Sequence, residues 1–518
     1  MEPPPRPARR RDPYWLLAWL CVVLAIPVRL YYFAGFGLGD DGNESLSLIY
    51  FAERLRLNPQ DFLHYRLVNM LIRGLAYRFF SVSEMSFILP ILVFALGTHA
   101  VSLLLARDLF GSRAAFLTSL LFLVTPYETL ASTANVPDYF HALFFVACAW
   151  SAYRGHLERS PRLMALAALF LFLGVLNRLF ALLLLPVFGL LTLVTLGRWR
   201  GWLAFWGTLA TLVALLCLAD YFYSGSPYRW LVYNSFGGVG GIDVTNIVGL
   251  VLMTYPRYLF FRDDFGNWMF GITGWCGALG ALLALGRLIT RRAGPAEVLL
   301  VLAFFVFGGL FEFMPHKLTL HAYYSHPRIF RYLAQISPVV YLCGGYFLEQ
   351  LCRSRWTVGV GVLAAAAVAL VGIQQTPRVA EPLHDANRDG RRLVAYLRAT
   401  ASDGPTDLYT DFWRVDRIRA QYHRGYLVWN LHGVTPDSKQ EKVDFLKGVR
   451  RGLVVTGGAT LPWYSGLDLI ISLSRLDFAV PDNWTLVEQF DGKVTQWRAE
   501  PLRIWSVHPA APEPAGGS

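Results

Sequence analysis

Charge is scarce in this chain. Only 16% of its 518 residues are Asp, Glu, Lys or Arg, against 55% hydrophobic residues, and the mean hydropathy is +0.40. A soluble chain of this length buries a large core, but it does not string together run after run of about 20 apolar residues, the length that crosses a bilayer. Cysteine is also rare. Cys21, Cys148, Cys217, Cys276, Cys343 and Cys352 show no CxxC spacing, and none lies beyond residue 352. That pattern excludes a disulfide framework and a thiolate metal site. HExxH is missing, and "GGVGG" (237–241) has no GK(S/T) after it, so it reads as an outer loop and not a phosphate cradle. There is no internal repeat, which argues against a repeat-built transporter. The first apolar run lacks a small-x-small cleavage site and reads as an uncleaved span, not a signal peptide.

What is present is a polytopic helical membrane protein. Apolar runs predict spans near 14–34, 85–106, 114–130, 138–153, 163–177, 179–196, 203–222, 267–286, 296–314, 332–350 and 356–374, about eleven in all. With the N-terminus cytoplasmic, the even connections "RDLFGSR", "RGHLERSPR", "GRWRGW", "RLITRR" and "CRSRW" fall inside. All are short and basic, as the positive-inside rule requires. This placement accounts for the net charge of +11 without a nucleic-acid partner. The long connections, about 35–84, 131–137, 223–266 and 315–331, gather on the opposite face. Within the first of them, "ESLSLIYFAERL" and "LVNMLIRGLAYRFF" have the spacing of amphipathic interfacial helices.

The domain boundaries read as a disordered basic N-terminus over 1–13, a transmembrane domain over 14–374, an extracytoplasmic α/β domain over 375–510 and a disordered tail over 511–518. In the soluble part "HDANRDGRRLVAYLRAT" predicts a helix. "DLYTD", "YLVWNL", "GLVVTGG" and "LDLIISL" predict strands, and "WTLVEQFDGKVTQWRAE" a hairpin.

Three carboxylates, Asp40, Asp41 and Glu44, follow the first span. A DDG turn in an outer loop is ordinary on its own. Arg29, Arg66, Arg178, Arg328 and Arg331 are predicted at the same face, and any one of them alone reads as a snorkelling side chain. Five together beside carboxylates fit an anionic headgroup next to an acidic catalyst, because guanidinium forks match phosphate oxygens. Glycosyl transfer from a lipid-linked sugar phosphate needs this arrangement. A carboxylate takes the proton of the acceptor hydroxyl, and fixed arginines stabilise the departing phosphate.

These residues carry a resemblance. The acidic pair after span one, followed by "YFAERL", resembles the signature of the GT-C glycosyltransferases, which include protein O-mannosyltransferases, lipid A aminoarabinose transferases and the mannosyltransferases of glycolipid anchors. "LARDLFGSRAAFLTSLLFLVTPYETLASTANVPDYFHALFF" is similar to their spans two to four, with Pro137-Asp138 opening the fourth. "DYFYSGSPYRWLVYN" resembles a stretch of the anchor-type enzymes, and "HPRIFRYLAQISP" an element before a late span.

The resemblance implies a GT-C fold with a small C-terminal α/β soluble domain, inverting transfer, and a polyprenyl- or dolichyl-phosphate donor, with mannose as the first sugar to consider. It makes Asp41 the favoured base and Asp40 the second, since the usual D-E pair is D-D here, with Glu44 three residues on. Lys317 joins the arginines as a phosphate contact, and Glu44, Asp138, Asn234 and Tyr332 become substrate contacts. The resemblance fixes no certain cofactor. A divalent cation on Glu44 and His326 is one option, although His316, His321 and His326, spaced by five, do not share a helix face and read first as loop histidines. The implied partners are the lipid-linked donor, membrane lipid, and an acceptor glycan, lipid or protein, at a multi-pass plasma (inner) membrane. The competing reading is a carrier, flippase or ligase for lipid-linked glycans.

Overall fold

The computed structural model describes residues 12–35, 44–55, 66–177, 179–194, 199–227, 242–243, 254–262, 267–312, 315–318, 323–325, 332–400, 406–411, 429–434, 448–459, 480–491 and 498–508. Its first half is helical: α1 (Pro13–Tyr31), α2 (Glu44–Arg54), α3 (Leu67–Phe80), α4 (Glu84–Phe110), α5 (Ser112–Val124), α6 (Pro126–Ala131), α7 (Asp138–Glu158) and α8 (Pro161–Asn177). A 3-10 turn, Leu179–Leu183, leads into α9 (Leu184–Val194) and then α10 (Trp199–Ser224). The chain continues through β1 (Ile242–Asp243), α11 (Thr254–Phe260), α12 (Ile272–Ile289), α13 (Pro295–Val301), a π-helical turn Leu302–Phe307, α14 (Gly308–Glu312), β2 (Pro315–Leu318) and β3 (Tyr323–Ser325). Two long helices follow, α15 (Leu333–Arg353) and α16 (Val358–Ala399), and then strands β4 (Thr406–Asp411), β5 (Trp429–Val434), β6 (Gly452–Ala459), β7 (Trp484–Phe490) and β8 (Arg498–Val507).

Local signals set the helix ends. Asp12 caps α1, its carboxylate accepting from the Tyr14 N–H at 3.1 Å, with Pro13 at the first helical position. Ser83 caps α4 in the same way through Ser86 at 3.1 Å, and Gly111, at φ +93°, ends it. Among the described residues five helical stretches are long and apolar enough to cross a membrane: Pro13–Tyr31, Glu84–Phe110, Trp199–Phe222, Ile272–Ile289 and Val358–Glu381. Four shorter apolar stretches, Ser112–Val124, Pro161–Asn177, Ala181–Leu193 and Pro295–Phe311, fall on other expected spans. The last two expected spans fall on α7 and α15, each 21 residues long but carrying buried polar groups such as Asp138 and Gln335. The structure thus supplies a membrane-type helical bundle, while five spans, not eleven, satisfy length and hydropathy together.

The centre of the bundle is α15, which packs on α12, α5, α7 and α16. Glycines allow its closest approaches. A Cβ on Gly280 of α12 would collide with the backbone carbonyl of Cys343 in α15, and one on Gly345 with Thr118 of α5. Both contacts are with neighbouring helices at a separation only glycine permits. The two predicted amphipathic segments of the first loop are helices, α2 and α3. Leu48, Ile49 and Ala52 of one meet Met70 and Tyr77 of the other within the main apolar core. At the end where the basic connections cluster, Arg287 pairs with Glu297 at 3.0 Å and donates to Gln350 at 2.8 Å, and Arg154 reaches Asp108 at 3.2 Å.

Helix α16 is the longest element, 42 residues, running without interruption past residue 375, where the composition turns polar. At 1.5 Å per residue its contour is about 63 Å, roughly twice the hydrocarbon thickness of a bilayer. Its first part packs Val368 and Val379 into the bundle, and its last turns pack Leu393, Val394 and Leu397 against Leu408, Val455, Leu502 and Ile504 of the sheet. That sheet has strand order β5-β4-β6-β8-β7, parallel across β5-β4-β6 and antiparallel across β6-β8-β7. The predicted helix and three of the four predicted single strands are there, and "LDLIISL" lies outside the described residues. Trp484–Phe490 pairs antiparallel with Leu502–Val507, so the strand partner lies further along the chain than a tight DG hairpin predicts, and 492–497 lie outside the described residues. A second small sheet, β1-β3-β2, joins the two long connections 223–266 and 315–331.

Candidate functional site

Among the described residues the bundle encloses a buried carboxylate. Pro126 lacks the N–H needed to continue α5 and starts the six-residue helix α6, all of whose residues are buried. This turn carries Glu128 into the bundle, fully enclosed. Arg29, in the last turn of α1 and only 1% exposed, brings its guanidinium to 3.7 Å from Glu128 Oε2. Tyr139 donates its hydroxyl to Oε2 at 2.7 Å, and Ser337 and Tyr341 donate theirs to Oε1 at 2.8 and 3.1 Å. Three helices, α1, α7 and α15, therefore converge on a carboxylate carried by a fourth, α6. A buried charge persists only when it is paired and hydrogen-bonded, and this one is both.

From Ala131 the chain runs through Ser132–Pro137, buried throughout, to Asp138 at the start of α7. This segment is a hub. Asp138 Oδ1 accepts from Gln335 of α15 at 3.0 Å. Asn135 Oδ1 accepts from Arg73 of α3 at 2.6 Å, and that guanidinium also lies over the Phe87 ring, 4.0 Å from its centroid. On the same segment the chain leaving α1 is fastened. The Gly35 N–H donates to Thr133 O at 2.8 Å, the Ala34 N–H donates to Thr133 Oγ1 at 3.3 Å, and Gly35 bridges Ala134 in parallel. The first loop thus begins four residues before Asp138 on the neighbouring strand of chain. Nearby, burial above all, then the Glu381 carboxylate and Tyr31, push the Tyr32 phenol above its ordinary value.

The residues singled out from the sequence divide as follows. Asp138 sits in this hub, Tyr332 is buried at the foot of α15, and Arg29 is the partner of Glu128. Arg66 is 4% exposed and left-handed (φ +59°) immediately before α3, an uncommon conformation for a residue with a side chain. Glu44 opens α2 and Lys317 lies in β2, their side chains outside the described residues. Asp40, Asp41, Arg178, Asn234, His326, Arg328 and Arg331 lie outside them altogether, as does 237–241. Among the described residues no group of three His, Cys, Asp or Glu side chains gathers to hold a metal ion.

Sequence reasoning passed over Glu128, Arg73, Asn135, Tyr139, Gln335 and Tyr341. One signal was present for Glu128: an ionisable residue inside an apolar run, which is expensive in a membrane and marks a built site. Arg73 gave the same signal within an amphipathic segment. The hydroxyl and amide partners had none, because their role depends on contacts between residues far apart in the chain.

Residues 67–223 match the family model described as dolichyl-phosphate-mannose-protein mannosyltransferase. No curated protein sequence matches the chain. Among solved structures, the chain is similar to ArnT from Cupriavidus metallidurans bound to undecaprenyl phosphate, with 14% identity, TM-score 0.56, and 94% of this chain and 97% of that one covered. The apo state of the same ArnT gives 13% identity and TM-score 0.54 over 85% of this chain and 92% of that one. The apo oligosaccharyltransferase of Archaeoglobus fulgidus gives 14% and 0.54 over 86% and 69%. The chain shares the fold of these solved structures, the GT-C-like architecture that the sequence resemblance implies.

Proposed function

We propose that this GT-C chain is a membrane glycosyltransferase that moves a sugar from a polyprenyl- or dolichyl-phosphate donor to an acceptor at the membrane face where the first loop lies. The observation that carries the proposal is the fastening of Gly35 to Thr133 and Ala134. It roots the loop bearing Asp40 and Asp41 beside the segment that delivers Asp138. Asp41 is six positions beyond Gly35, a contour of at most about 20 Å. The family-model match and the likeness to an undecaprenyl-phosphate-bound ArnT agree with a lipid-linked donor.

In the proposed reaction Asp41, or Asp40 in its place, accepts the proton of the acceptor hydroxyl. The oxygen attacks the anomeric carbon from the side opposite the phosphate. The bond from that carbon to the phosphate oxygen breaks, its electron pair leaves with the lipid phosphate, and configuration inverts. Arg66, Arg178, Arg328, Arg331 and Lys317 hold the phosphate and its developing charge. Asp138, Glu44, Asn234 and Tyr332 contact the sugar and acceptor. Arg29 acts one step back, balancing Glu128 so that α1, α6, α7 and α15 keep the site in shape. Mannose is the sugar we put first, in line with the description of the matching family model. The acceptor is a glycan, lipid or protein.

The test uses the full-length protein in nanodiscs, undecaprenyl-phosphate mannose as donor, and a membrane fraction from a strain lacking the gene as acceptor. Wild type should release undecaprenyl phosphate, and Asp41→Asn or Asp40→Asn should stop the release while donor binding persists. Undiminished transfer by both variants would remove the base and with it the mechanism.

A further inference from the structure

The root of the first loop is held from a second side, by the helix that carries the C-terminal sheet. His384 and Arg391 of α16 lie seven residues apart, two turns along one face. His384 Nδ1 is 2.9 Å from the carbonyl oxygen of Phe33, an acceptor only, so Nδ1 carries the proton and donates. Arg391 donates from Nε to Glu84 Oε2 at 2.6 Å and from Nη2 to the same Phe33 carbonyl at 3.5 Å, and its guanidinium lies 5.4 Å from the Phe33 ring centroid. Glu84 belongs to the first turn of α4, so Arg391 ties three elements together: α16, α4 and the end of α1. The next two residues after Phe33, Ala34 and Gly35, are those bound to Thr133. The chain entering the acidic loop is therefore gripped on one side by the Ser132–Pro137 segment and on the other by α16.

We propose that His384 and Arg391 are positioning residues: they fix the root of the loop that bears Asp40 and Asp41, and thereby couple the placement of the C-terminal sheet to the placement of the carboxylates. The coupling to transfer rests on the glycosyltransferase reading above; the clamp does not. Neither side chain touches the reacting atoms. His384 acts through the Phe33 carbonyl, and Arg391 through Glu84 together with the Phe33 carbonyl and ring, so the loss of either should displace the loop and leave the donor site intact. A displacement on the order of 1 Å at a reacting centre is enough for roughly a hundredfold loss of rate.

The experiment compares His384→Leu, Arg391→Met and the rescue variant His384→Asn, whose amide nitrogen occupies the place of Nδ1 and keeps the donor. Two readouts are taken on the full-length protein in nanodiscs. The first is amide hydrogen exchange of peptides containing Ala34 and Gly35. The second is the kcat and KM for undecaprenyl-phosphate mannose. His384→Leu and Arg391→Met should speed exchange at Ala34 and Gly35 and lower kcat tenfold or more, with KM changed less than threefold. His384→Asn should recover most of both. If exchange and kcat in His384→Leu and Arg391→Met equal those of wild type, the clamp is refuted. If His384→Asn is as impaired as His384→Leu, the donated hydrogen bond is not what matters and the proposal is likewise overturned. If wild type transfers nothing while His384→Leu still loosens Ala34 and Gly35, the clamp stands and the functional reading falls.

Discussion

Removing the charge of Glu128 should unsettle the bundle more than removing any hydroxyl around it. In Glu128→Gln the side chain keeps its length and one acceptor oxygen, so most of what Tyr139, Ser337 and Tyr341 donate to can be re-formed. Hydrogen bonds between helices in membrane proteins average about 0.6 kcal/mol, so losing all three amounts to about 2 kcal/mol. Arg29, 1% exposed, would then be a buried cation without a counter-charge, and breaking such a pair from one side costs about 3–5 kcal/mol. The charge term wins. Glu128→Gln should lose about 3–5 kcal/mol in SDS-induced unfolding of the purified protein, and Ser337→Ala about 1 kcal/mol or less. Adding Arg29→Met to Glu128→Gln removes the orphaned cation, so the double variant should be more stable than Glu128→Gln alone. If Glu128→Gln costs under about 1 kcal/mol, or the two substitutions simply add, the pair is not coupled and the account of the site as charge-balanced is wrong.

Other elements give further expectations. Gly280→Leu sets a side chain against the Cys343 backbone, which cannot swing aside as a side-chain neighbour would. It should cost at least about 1–3 kcal/mol, and Gly286→Leu, where a Cβ meets nothing within 4 Å, should cost much less; the comparison is read from thermal stability in detergent. Leu397→Ala opens a cavity between α16 and the sheet, where Leu397 is fully buried beside Leu408 and Ile504. It should cost about 2–5 kcal/mol locally, seen as faster proteolysis of the segment after residue 400 with the bundle still intact.

Much of the fold was legible because a bilayer imposes a coarse and strong constraint. Runs such as 85–106 and 203–222 announce helices by length and apolarity alone, and α4 and α10 are there. Short polar–apolar signals also sufficed for α2, α3, β4 and β6. The continuous course of α16 was not legible, because the fall in hydropathy at 375 looks like a domain boundary, whereas helix formation depends on backbone geometry and continues through it. The site was legible only in kind. Asp138 after Pro137 stood out in the sequence and lies in the buried segment that follows Glu128, whereas Asp40 and Asp41 lie outside the described residues. The partnership of Arg29 with Glu128, 99 positions away, and that of Asp138 with Gln335, 197 positions away, exist only once the helices assemble.

Helix α16 passes through Pro377 and Pro382 on its way from bundle to sheet. Neither has an N–H to offer the carbonyl four residues back, so the ladder is missing two rungs within six residues. A rod with rungs missing is most compliant there, between the part sunk among other helices and the part that bears the sheet. From Pro382 to Ala399 is about 25 Å of helix, and a swivel of about 10° at the weak stretch would carry the far end through roughly 4 Å. His384 stands two residues beyond that stretch and Arg391 nine, so both contacts restrain the arm on its sheet side, Arg391 with the longer leverage.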